Sequence, residues 1–126
     1  MKVWAATRDS QVIDLLNTAI RMRWPNSGSL IVPDISDQEA PSQIKGCDLA
    51  IVDTCLDIVD ANEIIHQIRR DSEVPVLALS NSKGDQGVTA RALANGADDY
   101  IFKPVEIIEL IFHIEAVAGI KHSARG

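Results

Sequence analysis

The chain is 126 residues long, enough for one domain with a real core. At 46% hydrophobic and 24% charged residues it reads as soluble and globular. Its net charge of -6 argues against a nucleic-acid-binding surface here, because phosphate contacts need clustered Lys and Arg. No signal peptide is expected, since Met1-Lys2 runs into only four apolar residues, Val3 to Ala6. No segment approaches the roughly 20 apolar residues of a membrane span. The two cysteines, Cys47 and Cys55, are eight apart, match no zinc or redox spacing, and are expected as reduced thiols in a cytosolic protein.

In chain order, Val3 to Thr7 predicts a first buried strand. Asp9 or Ser10 caps a helix in which Val12, Ile13, Leu15, Leu16, Ala19 and Ile20 recur at helical spacing. Trp24-Pro25-Asn26-Ser27-Gly28 ends it, and Leu30 to Val32 is a second short strand. A helix is expected over 37–45, shortened or displaced by Pro41. Leu49 to Val52 is an unbroken apolar run suited to a strand buried on both faces, and it ends on the carboxylate Asp53.

Thr54 to Asp60 reads as a loop, with Asp60 capping a helix from Ala61 to about Arg70 whose stripe is Ile64, Ile65 and Ile68. Val76 to Leu79 is a fourth strand ending on Ser80, and the polar 81–87 stretch a loop. Val88 to Asn95 is helical but poor in large apolar residues, and Gly96 suits a left-handed position after its end. Tyr100 to Phe102 is a fifth strand closed by Lys103-Pro104. A last helix runs from Val105 to about Ile120.

This alternation implies βαβ units with right-handed crossovers. The expected fold is α/β: a flavodoxin-like (βα)5 three-layer sandwich on a five-stranded parallel sheet. The domain is expected over residues 1–120, with 121–126 a tail or the start of a linker. Parallel strands end at the edge where open α/β proteins place their chemistry. There Asp53, Ser80, Lys103 and the Thr7-Arg8-Asp9 turn converge. A carboxylate, a hydroxyl and an ammonium around one crevice suit phosphoryl transfer onto the carboxylate.

Three stretches carry a resemblance: Asp48 to Asp53, Val74 to Ser80, and above all Gly96-Ala97-Asp98-Asp99-Tyr100-Ile101-Phe102-Lys103-Pro104. They resemble the receiver (CheY-like) domain of two-component response regulators over nearly the whole chain. The resemblance implies that Asp53 is the phospho-accepting aspartate, Ser80 the switch hydroxyl, Lys103 the site lysine and Tyr100 the aromatic switch. It further implies a histidine kinase or phosphotransfer protein as partner, a cytoplasmic location and a downstream output domain. As for enzymatic activity, it implies at most self-phosphorylation from a phosphodonor and autodephosphorylation.

The chain departs from the family where two adjacent acids normally end the first strand and hold Mg²⁺ with the aspartate. Thr7 and Arg8 stand there; Asp9 comes one residue late and, as a helix cap, is expected to point elsewhere. Asp53, Asp9 and the Cys55 carbonyl would bind Mg²⁺ weakly or not at all, because the ion prefers near-octahedral oxygen ligation. One reading puts the Arg8 guanidinium in the metal's place, paired with Asp53 or Asp9; charges about 4 Å apart attract by roughly 4 kcal/mol at an effective dielectric near 20, before desolvation. The other turns Arg8 to solvent, with Asp9 swung in as a makeshift ligand.

Two functional classes follow: an atypical receiver acting through protein contact, or a working phospho-acceptor at Asp53. A flavodoxin-like cofactor binder is disfavoured, since no Gly-rich or hydroxyl-rich phosphate loop follows the first strand. On the last helix Ile107, Leu110, Ile111 and Ile114 face the sheet, while Ile108, Phe112 and Ala116 form an apolar flank. That flank suggests a partner or a two-fold dimer through the fourth helix, fifth strand and fifth helix; cover by the tail or a downstream domain is the alternative.

Overall fold

The computed structural model describes residues 1–26, 28–32, 44–54, 61–80 and 86–118. Its strands are β1 (Lys2–Ala6), β2 (Gly28–Val32), β3 (Leu49–Asp53), β4 (Val76–Ser80) and β5 (Asp99–Phe102). The helices among the described residues are α1 (Ser10–Arg23), α2 (Ala61–Asp71), α3 (Gln86–Ala94) and α4 (Ile107–Ala118). The expected helix over 37–45 lies almost wholly outside these residues; Ile44 to Gly46 form a turn.

All strand pairs are parallel, in the order β2-β1-β3-β4-β5. The chain therefore winds one way from β1 to β2 and the other way from β3 onward. That reversal opens a crevice at the carboxyl ends of β1 and β3.

Strands covered on both faces explain why the apolar runs are continuous rather than alternating. Successive side chains go to opposite layers. Trp4, Ala6, Ala50, Val52, Val76 and Ala78 pack with Ile64, Ile65 and Ile68 of α2. Val3, Ala5, Leu49, Ile51, Leu77 and Leu79 pack with Leu16 and Ile20 of α1 and with Leu110, Ile114 and Val117 of α4. Truncating a fully buried member such as Ile68 to alanine costs about 2–5 kcal/mol.

Helix α1 begins where Asp9 Oδ1 accepts from the Gln11 and Val12 backbone N–H groups, at 3.0 and 3.4 Å. It ends on Arg21 and Arg23, cations suited to a helix C-terminus. Helix α4 is shorter than the sequence predicts, starting at Ile107.

A clamp at the opposite, amino-terminal edge of the sheet sets where β5 begins. Gly96 ends the α3 turn at φ +120°, a conformation that favours glycine. A Cβ there would stand 2.8 and 2.9 Å from Arg69 Cγ and Cβ. Arg69 donates to the carbonyls of Gly96 (3.1 and 2.9 Å) and Val74 (2.9 Å) and to Asp98 Oδ2 (2.9 Å). Asp98 Oδ2 also accepts the Val76 N–H at 2.8 Å. The start of β5 is thereby tied to β4 and α2, which fixes how far along the sheet Lys103 arrives.

Candidate functional site at the ends of β1, β3 and β5

Asp53 is the last residue of β3 and only 2% exposed. A buried carboxylate needs donors or a counter-charge, and this one has both on a single oxygen. Ala6 registers with Val52, so Thr7 lies beside Asp53. Its buried hydroxyl donates to Asp53 Oδ2 at 2.7 Å. That hydroxyl in turn accepts the Asp9 backbone N–H at 3.1 Å, which shapes the turn.

Lys103 follows β5, two strands from β3. Its backbone N–H donates to the Ser80 carbonyl at 2.6 Å, carrying the ladder one residue past the strand. From there the long side chain spans β4. Its Nζ lies 2.7 Å from Asp53 Oδ2 and 3.0 Å from Asp9 Oδ2. One ammonium thus joins two carboxylates and is itself only 14% exposed.

Asp9 performs two tasks at once. Its Oδ1 caps α1 while its Oδ2 meets Lys103. The bond from Lys103 holds the Asp9 carboxyl below its usual range against the opposing effect of burial; the ammonium's charge and the helix N–H groups add to the lowering. The expectation that a capping Asp9 points elsewhere is corrected: a carboxylate has two oxygens, and one suffices for the cap.

Of the two readings of Arg8, the one that pairs it with Asp53 or Asp9 differs from what is seen at this site. Past the end of β1, Thr7 is buried and Arg8 lies on the exposed side of the turn. The cation bonded to both carboxylates is Lys103.

Ser80 is buried at the end of β4, the strand between Asp53 and Lys103. Tyr100 is half-buried, packs against the layer that includes Trp4 and α2, and meets Phe102 edge-on at 5.2 Å. Cys55 lies outside the described residues. Two contributors escaped the sequence reading. Thr54 donates both its N–H (2.8 Å) and its hydroxyl (2.7 Å) to the Leu79 carbonyl, anchoring the chain as it leaves Asp53. His113 has its Nδ1 2.9 Å from Asp99 Oδ2. A hydroxyl directly after the strand-ending acid was the available signal for the first; the second pairs residues fourteen apart on different elements.

Among the described residues no three carboxylate, imidazole or thiolate side chains converge to hold a metal. Among the described residues at this edge, Asp53 and Asp9 are anionic donors, and both are bonded to the same ammonium.

A doubly wound α/β domain with a buried acid at its switch point, joined to a lysine from the last strand, defines a class of signalling domain. The family model for the response regulator receiver domain matches residues 8–115. This chain belongs to that family. The heme response regulator HssR of Staphylococcus aureus (strain JH9) is 37% identical over 70 residues, 56% of this chain and 31% of HssR. The matched stretch therefore spans about a third of that relative's length.

Solved structures agree in fold. The Francisella response regulator 1452 receiver domain superposes with a TM-score of 0.75 at 23% identity, covering 93% of this chain and 95% of that one. The receiver domain of the Pseudomonas aeruginosa PAO1 sensor histidine kinase PA1611, described with a magnesium ion in its active site cleft, gives a TM-score of 0.77 at 20% identity, covering 94% and 98%.

Proposed function

We propose that this receiver domain, part of a two-component system, works chiefly through protein contact and that Mg²⁺-dependent phosphorylation of Asp53 is impaired. The observation that carries this reading is the arrangement around Asp53 Oδ2. Thr7 offers a hydroxyl and not a carboxylate, and Lys103 draws both Asp53 and Asp9 to itself. A divalent ion would have to compete with that ammonium for each anionic oxygen, so any Mg²⁺ binding is weak. In this reading the domain is cytoplasmic, meets a histidine kinase or phosphotransfer protein, and signals through the face bearing Ile108 and Phe112. The signal passes from that face to an output domain.

A second reading has its own support. An ammonium 2.7 Å from Asp53 suits a phospho-acceptor, because it neutralises charge on an arriving phosphoryl group. In that case a carboxylate oxygen of Asp53 bonds to phosphorus, the donor's P–O bond breaks, and acetate leaves when the donor is acetyl phosphate. Incubation with acetyl phosphate and Mg²⁺ followed by intact mass separates the two. The contact reading expects no added phosphoryl mass. Stoichiometric addition that Asp53→Asn abolishes establishes the second.

A further inference from the structure

A groove between α2 and α3 shares no residue with the Asp53 site and encloses about 370 Å³. That volume falls in the range of small-molecule sites, roughly 300–1,000 Å³, but the apolar lining common to such sites is missing among the described residues. Its cations are Arg70 and Arg91, with the His66 imidazole beside them. Its amides are Asn62, Gln67 and Asn95, and its acid is Glu63.

Both helices cross between parallel strands, so they run in the same direction. Arg69 donates to the Gly96 carbonyl, which sets the end of α3 level with the last turn of α2. Asn95 therefore comes level with Arg70 and, one turn back on each helix, Arg91 with His66. Two guanidinium groups from different helices thus border one hollow, in a chain whose net charge is -6. Arg70 has only an exposed contact of 3.7 Å with Asp71, which contributes little. Arg91 and His66 are exposed, and their side chains make no ion pair with a described residue.

Paired guanidinium groups suit a phosphate, whose oxygens take several charge-assisted hydrogen bonds at once. The remaining lining narrows the ligand further. It offers no aromatic face on which a nucleobase would stack. Amides and a carboxylate instead present donors and acceptors to hydroxyl groups. Gln67 Oε1 is buried and accepts no bond from a described residue, a deficit that a ligand hydroxyl would fill once the amide turns. Glu63 stands two turns back along α2 from Arg70, roughly 10 Å away, so the groove is cationic at one end and anionic at the other. We propose that it binds a sugar phosphate, the phosphate on Arg70, Arg91 and His66 and the hydroxyls on Gln67 and Glu63. Such a ligand bridges α2 to α3.

The isotope-labelled chain is titrated without Mg²⁺, by amide NMR, with glucose 6-phosphate, ribose 5-phosphate, inorganic phosphate, glucose and adenosine 5′-monophosphate. At least one sugar phosphate is expected to give saturable shifts centred on His66, Gln67, Arg70, Arg91 and Asn95. Inorganic phosphate is expected to bind about tenfold more weakly, and glucose to leave these amides unmoved. Arg70→Gln/Arg91→Gln should weaken the sugar phosphate about tenfold or more; both side chains are exposed, so the fold is kept. An equal charge change elsewhere, Arg21→Gln/Lys45→Gln, should not. Shifts centred on Thr7, Asp53 and Lys103, no saturable shift with either sugar phosphate, or equal weakening in the two charge variants overturns the proposal. So does inorganic phosphate or glucose binding as tightly as the sugar phosphates, or adenosine 5′-monophosphate binding more tightly, which assigns the groove to a nucleotide.

Discussion

Replacing Lys103 with methionine removes the cation from a buried carboxylate while keeping most of the side chain's volume. Asp53 is 2% exposed and would keep the Thr7 hydroxyl on the oxygen that Lys103 now shares. Removing one partner of a buried pair costs about 3–5 kcal/mol, and the bond from Thr7, one of those that survive, offsets about 1 kcal/mol of it. The expected loss for Lys103→Met at neutral pH is therefore about 2–4 kcal/mol. For a domain of this size, that corresponds to a melting temperature lower by roughly 8–16 °C. Urea unfolding followed by circular dichroism reads it directly. Asp53→Asn in the same background should recover most of the loss, because no uncompensated charge then remains buried. A Lys103→Met protein within about 0.5 kcal/mol of the parent, with no rescue by Asp53→Asn, would refute the claim that this lysine balances a buried anion.

Gly96→Ala should lower stability by about 1–3 kcal/mol in urea unfolding, since φ is +120° and the new methyl meets the Arg69 side chain. Asp9 is the pH-sensitive member of the site. Its folded carboxyl is held below the ordinary value of 3.8, so its contribution is complete above that value and is lost as pH falls through the lower folded one. Asp9→Asn should keep the helix cap yet flatten that acid limb of the stability curve. Thr7→Asp places a third carboxylate beside Asp53 and should raise Mg²⁺ affinity by about tenfold or more, measured by calorimetry. An unchanged affinity would show that the missing acid is not what limits metal binding.

Much of the site was legible because it depends on where strands stop. The run Leu49 to Val52 announces a buried strand, and its terminal acid must then lie at the carboxyl edge. Ser80 and Lys103 follow by the same reasoning on β4 and β5. Gly96 was legible because few other residues take positive φ after a helix. What could not be read were choices among partners far apart in sequence. Nothing local says that Lys103 rather than Arg8 reaches Asp9, ninety-four residues away. Arg69 and Asp98 look like ordinary surface charges until α2 is laid against the start of β5. The dual use of Asp9 was missed because a capping side chain was counted as spent after one bond.

The central claim is that an ammonium, not a divalent ion, balances the acids at the end of β3. Titration of the unphosphorylated protein with Mg²⁺, followed by amide NMR, tests it most directly. The account predicts no saturable shifts at Thr7, Asp9, Asp53 or Thr54 in the low millimolar range. Saturable shifts centred on those residues, accompanied by displacement of the Lys103 ammonium, would contradict it.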